Sequence, residues 1–481
     1  MANLSKSKLL LYRQCPKRLW LQLNRPNLIN VSAATQSKLD EGNRVGDIAR
    51  QLHSPGLYIE TLNISDALKL TQQALKDHQP IFEAAFCHDE LAVRVDLLLP
   101  KNNSYRLVEV KSSTSVKEYH IDDITIQAWA MERSGIKPLS VSLAFINNQF
   151  IYEGNNNYKG LFVEEDLSSH AEENLELVPQ WIEGAQKILS STKEPIMSIG
   201  EHCAIPFQCD FIEYCSPIDP DVEYPVEILP YGKNKATQLR AKGYKDLRNV
   251  PVAELSNPKH IMVHAVTLSG EAMLDPKGAS QIKALPYPRY YIDFETVSFA
   301  VPIWVGTRPY MQVPYQWSCH MELKNNDVKH FEFLDISGKD PRRMFAESLI
   351  SAVGTEGPVL VYNGGFEGAR LKELALTFPD LSKALLAIIE RFFDLLPFAR
   401  QFYYHPDMKG SWSIKDVLPT VAPELAYSDL EISDGSMAQD AYKQAIKQNI
   451  STQEKNDIRT AMLKYCEQDT IAMVTLIKAW D

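Results

Sequence analysis

Tyr290-Tyr-Ile-Asp-Phe-Glu-Thr296 is the stretch on which the reading of this chain turns. Its aromatic and β-branched residues predict a strand, and side chains alternate along a strand with period two. Asp293 and Glu295 therefore project from the same side. Two carboxylates so placed suit a hard divalent cation, Mg2+ or Mn2+, although an exposed strand edge can carry the same residues. Residues further along the chain favour the metal. A second predicted strand, Val359-Leu-Val-Tyr362, runs into Asn363-Gly-Gly-Phe-Glu367, and a long predicted helix from Thr452 carries Tyr465-x-x-x-Asp469. Residues four apart share a helical face, which sets a phenol beside a carboxylate. Asp394, in Phe392-Phe-Asp-Leu-Leu396, is a further carboxylate able to enter such a metal site.

Between these motifs, Tyr403-Tyr-His-Pro-Asp-Met-Lys-Gly-Ser-Trp-Ser-Ile-Lys415 interleaves aromatic and basic residues, with His405 and Lys415 the two to test. Such a segment either stacks bases at the mouth of a single-strand groove or packs as an ordered loop with core aromatics.

A second acidic constellation lies near the start. The run Leu91 to Leu99 contains Asp96, and after a polar turn comes Tyr105-Arg-Leu-Val-Glu-Val-Lys-Ser-Ser113. A strand-turn-strand of this form brings the Asp96 and Glu109 carboxylates beside the Lys111 ammonium. That grouping can hold Mg2+ or Mn2+, orient a water and stabilise charge on a phosphate. Taken alone, Glu-Val-Lys is more often a solvated strand edge.

Seven cysteines are present, and three form Cys203-x5-Cys209-x5-Cys215, punctuated by Pro206, Phe207, Phe211, Tyr214 and Pro217. Cys15, in Tyr12-Arg-Gln-Cys-Pro-Lys-Arg-Leu-Trp20, is the candidate fourth ligand. Four thiolates suit a structural zinc or an iron-sulfur cluster, and the spacing does not choose between them. Cys87, Cys319 and Cys466 stand alone and read as small buried hydrophobes.

At 481 residues the chain is long for one core, and length predicts roughly three units. A hydrophobic fraction of 45% is that of a globular protein without an apolar run long enough to span a membrane. The opening residues carry no long apolar segment before a small-residue cleavage site, so secretion is not expected and a cytoplasmic address is. A net charge of -11 argues against a protein coated in basic surface. It leaves room for a nuclease, since metal-binding carboxylates add to the negative count and a local basic groove suffices to attract a backbone.

Periodicity predicts a helix within residues 1 to 30 and another over Thr35 to Leu52. Strands are predicted over Ile81 to Phe86, Ala92 to Leu98, Arg106 to Lys111 and Ser140 to Ile146, with a helix from Ile121 to Arg133. Helix-forming acidic residues run from Glu164 to Ser190, and short helices joined by Gly and Asn turns fill Val222 to about Leu285.

In combination, Cys15, Asp96, Glu109-Val-Lys111, Gln127 and the three clustered cysteines resemble the RecB-type branch of the PD-(D/E)xK nucleases, in particular iron-sulfur members such as CRISPR-associated exonucleases and the AddB nuclease module. The resemblance covers residues 1–220 and implies a restriction-endonuclease-like fold, with Gln127 in the active site and a 4Fe-4S cluster on Cys15, Cys203, Cys209 and Cys215. Residues 286–481, with Asp293, Glu295, Glu367, Tyr465 and Asp469, resemble the DEDD exonucleases, which implies an RNase H-like fold and two-metal 3'-to-5' cleavage. Residues 221–285 are expected to form a small helical linker domain.

Two positions depart from the patterns: Met131 ends the family's Gln-x-x-x-Tyr, and Glu367 stands where the second DEDD motif has Asp. The early-helix His is also missing, with Glu41 or Asp47 as possible substitutes. The resulting expectation is an α/β metal-dependent nuclease acting on DNA, single-stranded in preference, in DNA repair or defence against foreign DNA. The alternatives are an RNA-trimming exonuclease, or a nucleic-acid-binding protein with one or both centres inactive.

Overall fold

A computed structural model of the protein describes residues 4–29, 33–216, 222–427 and 430–481. Pro217 and the domain boundary expected at 220/221 lie outside the described residues. The chain divides into two compact units, Met1–Ile218 with Phe299–Met311, and Asp219–Ser298 with Gln312–Asp481. The short helices expected to form a separate linker group with the second unit.

Both units are mixed α/β. In the first, β1 (Leu4–Ser5), β2 (Leu57–Tyr58), β3 (Ile81–His88), β4 (Leu91–Lys101), β5 (Ser104–Lys111), β6 (Ser140–Ile146) and β7 (Phe162–Asp166) build one sheet. Its order is β2-β3-β4-β5-β6-β7, with β1 beside β4. β3, β4 and β5 form an antiparallel meander. β5 then pairs parallel with β6, so the chain must cross over between them, and the helix Glu118–Arg133 is that crossover. Leu91, Val93 and Val95 alternate into a core shared with Ile124, Ile126 and Ala128 of this helix.

Two expectations for this unit need correction. The single early helix is two, Lys6–Gln14 and Pro16–Asn24, separated at Cys15, whose backbone is extended. Pro16 explains the break: a residue before proline is pushed out of the helical region, while proline itself is well placed to open a helix. The acidic stretch from Glu164 begins as strand β7, paired antiparallel with β6, before the helices Ser168–Asn174 and Val178–Leu189.

In the second unit a small ribbon pairs β8 (Met273–Leu274) with Tyr403–Tyr404. The main sheet contains β9 (Arg289–Val297), β10 (Val313–Glu322), β11 (Val328–Leu334), β12 (Val359–Val361) and β13 (Phe392–Asp394), in the order β11-β10-β9-β12-β13. β10 is antiparallel to both its neighbours, whereas β9, β12 and β13 run parallel. β9 is thus the central strand, and Ile292, Phe294, Val359, Val361, Phe345 and Leu371 pack in the core around it. Among the described residues no helix is long and apolar enough to cross a membrane.

Candidate functional site

β9 brings Asp293 and Glu295 into the centre of the second unit, opposite Ser318 and Gln316 of β10. Asp469 reaches the same place from the last helix, Thr452–Trp480, which Ser451 caps by accepting from the Glu454 N–H. One carboxylate oxygen from each of Asp293, Glu295 and Asp469 lies within 4.8 Å of the others. Glu367 arrives through a tight corner after β12. Asn363 adopts φ 71°, and a Cβ on Gly364 would fall 2.4 Å from Val361 Cγ2, so only glycine fits there. Glu367 is buried, and its Oε2 has no hydrogen-bond partner among the described residues.

These carboxylates share one electrostatic problem. Burial, followed by the charges of Asp469, Glu295 and Glu367, holds the Asp293 carboxyl well above its usual range. Burial and Asp469 do the same to Glu295, against a partial opposing pull from Lys415. Burial pushes Glu367 up to about 8 and Asp469 up to about 6. A buried carboxylate lacking a counter-charge either keeps its proton or takes a cation.

The polar groups around them are ordered. Tyr427 donates to Asp469 Oδ1 at 2.6 Å, and Lys415 Nζ donates to the Ser433 carbonyl at 2.5 Å and to the Tyr465 hydroxyl at 3.3 Å. Burial and the nearby carboxylates raise the pKa of Tyr465, which therefore stays a phenol. Cys466 Sγ sits 3.8 Å from Asp293 Oδ2.

Asp394 does not join the group. Its two oxygens accept from the backbone N–H groups of Asn363, Gly364 and Leu396 at 2.9 to 3.0 Å. It pins the corner that delivers Glu367 and caps the helix Leu395–Phe402. Tyr403, Tyr404 and Trp412 are buried, so the aromatic segment is largely an ordered loop with core aromatics. His405 caps a short turn by accepting from the Asp407 N–H, and only Lys415 enters the carboxylate centre. Tyr427 was not foreseen, because a lone tyrosine 42 residues from its partner leaves no local pattern.

The first unit assembles a different constellation. Lys111 Nζ lies 2.6 Å from Glu109 Oε1 and 2.7 Å from Asp123 Oδ2. Lys6 Nζ bridges the same carboxylates, 2.9 Å from Glu109 Oε1 and 2.9 Å from Asp123 Oδ1. Gln127 Nε2 donates to Glu109 Oε2 at 2.8 Å and to Asp123 Oδ1 at 2.9 Å. Asp96 Oδ2 accepts from the Val110 N–H at 2.8 Å. All four expected residues meet here, and Lys6 and Asp123 join them. Asp123 had a signal in the sequence, since it stands one helical turn before Gln127; Lys6 had none.

Although burial opposes it, the two ammoniums draw the Asp123 carboxyl far below its usual range. Burial and Glu109 push Asp96 up to about 8. Glu41 and Asp47 stay outside this network: Glu41 interacts with Tyr310, and Asp47 pairs with Arg50. Beside the network lies an open cleft of about 450 Å³, lined by Lys111, Lys117, Tyr119, His120 and Tyr310 among others.

Cys15, Cys203, Cys209 and Cys215 line one small cavity, walled also by Leu21, Met197 and Phe211. Gln14 Nε2 donates to the His202 and Phe207 carbonyls at 2.8 and 2.7 Å, and Arg18 pairs with Asp210 at 2.7 Å. These bonds tie the first helices to the cysteine loop. No three of the thiols fall within 4.8 Å of one another, so they are absent from the tight His/Cys/Asp/Glu groups among the described residues.

Residues 290–413 match a family described as a domain of unknown function, DUF2779. The chain is 28% identical over 210 residues to the uncharacterized protein UU173 of Ureaplasma parvum, covering 39% of this chain and 30% of that protein. It is 26% identical over 209 residues to the uncharacterized protein MG366 of Mycoplasma genitalium, covering 39% and 31%. The chain thus spans about a third of the length of these relatives. The solved structure of SSO0001 aligns with 45% of the chain at 14% identity and a TM-score of 0.21, a likeness too slight to argue from.

Proposed function

We propose that the protein is a metal-dependent nuclease whose working centre is the carboxylate group Asp293, Glu295, Glu367 and Asp469. The observation that carries this reading is a deficit of positive charge: Asp293, Glu295 and Asp469 meet within 4.8 Å, the buried Glu367 adds its charge, and the cations acting on the four are Lys415, on Glu295 and Asp469, and Arg370, on Glu367. That donor set fits Mg2+ or Mn2+, which take oxygen ligands. Bound there, such an ion polarises a phosphate and activates water. The chain's own groups would do the rest. Tyr465, kept as a phenol and held by Lys415, would orient the attacking water, and Tyr427 fixes the Asp469 carboxylate. A central strand with an antiparallel pair on one side and parallel strands on the other supports an RNase H-like domain with a DEDD-type, 3'-to-5' exonuclease centre. Digestion of 5'-labelled strands with and without Mn2+ tests the reading.

Single-stranded DNA, rather than RNA, is the proposed substrate. An open cleft of about 510 Å³ in the second unit is lined by Tyr231, Tyr362, Arg400 and Trp412 beside Asn363. Tyr231 is 86% exposed, with the Arg400 guanidinium 5.9 Å from its ring centre, a platform on which a base can stack. Tyr231→Ala is expected to raise KM for single strands about tenfold and leave kcat unchanged, since one stacked base is worth about 1–3 kcal/mol. Equal KM values would remove this cleft from the substrate path.

For the first unit, the β3-β4-β5 meander and crossover helix support the RecB-type reading. Lys6, however, favours a centre that is inactive as a metal nuclease, because Lys6 and Lys111 already neutralise Glu109 and Asp123. Lys6→Met is expected to cost about 3 kcal/mol in stability by leaving buried charge uncompensated, and millimolar Mn2+ should restore part of it. A variant as stable as the wild type would contradict the closed network.

The four cysteines are proposed to hold a 4Fe-4S cluster. What supports this reading is that Cys15 lines the same cavity as Cys203, Cys209 and Cys215, from a helix break far from them in the chain.

A further inference from the structure

Outside both centres, one group of side chains is oriented as metal ligands are. His320 on β10 and His330 on β11 are direct cross-strand partners, their rings 4.6 Å apart and inclined by 27°. Glu467 of the last helix reaches them, with its Oε1 3.7 Å from His330 Nδ1. One donor atom from each of the three lies within 4.8 Å of the others.

Proton counting fixes how the two rings are presented. His320 Nδ1 meets Thr470 Oγ1 at 2.8 Å, and His330 Nε2 meets Ser318 Oγ at 2.9 Å. Ser318 Oγ meets Thr470 Oγ1 at 2.7 Å, and Thr470 Oγ1 donates to the Glu467 carbonyl at 3.0 Å. These four contacts share two hydroxyl protons. The Thr470 proton goes to the carbonyl and the Ser318 proton to Thr470, so both imidazoles must donate at the nitrogens named. The remaining nitrogens, Nε2 of His320 and Nδ1 of His330, are then the ones with free lone pairs. Metal-bound histidines are oriented in this way, by a hydrogen bond from the nitrogen that does not ligate.

We propose that His320, His330 and Glu467 form a zinc site. Two imidazoles and one carboxylate are a zinc donor set with a fourth position left for water, and they differ in kind from the all-oxygen set at Asp293. The burial fits such a site: His320 is enclosed, His330 is half-buried and Glu467 is exposed, which leaves a route for the ion. An ion here would fasten the β10-β11 hairpin to the helix that carries Tyr465 and Asp469, steadying their positions.

The test is Zn2+ stoichiometry and thermal stability of the full chain, cysteine site loaded, in excess Mg2+ to fill the carboxylate centre. Wild type, His330→Ala, Glu467→Ala and Asp293→Asn are compared. Wild type and Asp293→Asn should each bind one more Zn2+ per chain than His330→Ala or Glu467→Ala, and only they should gain Tm on zinc addition. Glu467 is exposed, so its variant folds whatever the fate of His330→Ala. Co2+ substitution should give d–d bands without thiolate charge transfer, which separates this site from the cysteines. Equal zinc uptake by wild type and Glu467→Ala would overturn the proposal, whether or not the chain is a nuclease.

Discussion

Asp293→Asn is expected to abolish Mn2+-dependent strand digestion while leaving the metal-free protein at least as stable as the wild type. The two effects have one cause. Burial, with Asp469, Glu295 and Glu367, holds the Asp293 carboxyl well above its usual range, so without metal it must keep a proton or bear the repulsion, and the neutral amide of Asn needs neither. Metal-free Tm should therefore hold or rise. The lost ligand removes the several kcal/mol that a bound ion supplies to the transition state, and about 4 kcal/mol is about a thousandfold in rate. Activity and Tm falling together would mean that Asp293 is a structural residue and that the centre has been misread.

Cys15→Ser is the second large effect, and it should spare the second unit. Cys15 sits at the break between the first two helices and reaches the same cavity as Cys203, Cys209 and Cys215. A cluster there would join chain segments nearly 200 residues apart, and metal-binding energy at such a site is folding energy, on the order of 10 kcal/mol for structural zinc. Wild-type protein prepared without oxygen should be brown. The variant should be colourless and lose the first unit to protease rapidly, while strand digestion by the Asp293 centre persists. A colourless wild type carrying one zinc per chain, or a variant as protease-resistant as wild type, would contradict the cluster.

How much of this was legible in the sequence depended on whether the signal was local. Strand β9 and the face of the last helix bearing Tyr465 and Asp469 follow from periods of two and about four, and their residues do converge. The Asp96 and Glu109-Val-Lys111 strands were legible for the same reason. Asp394 misled because a carboxylate beside a motif reads alike whether it binds metal or caps a helix; the three backbone N–H groups that claim it come from folding. Lys6 was invisible because it lies 103 residues from Glu109 and becomes its neighbour only when β1 pairs with β4. The His320, His330 and Glu467 group was missed likewise: a hairpin register and a helix 137 residues beyond His330 bring it together.

The central claim is that the carboxylates of the second unit hold divalent cations and cut strands from the 3' end. The most direct measurement is digestion of 5'-labelled single-stranded DNA, with RNA in parallel, by wild-type protein and by Asp293→Asn, in Mn2+ and in EDTA. The predicted result is a DNA ladder shortening from the 3' end in Mn2+ with wild type only. A ladder that survives EDTA or Asp293→Asn, or no ladder from wild type in Mn2+, would contradict it.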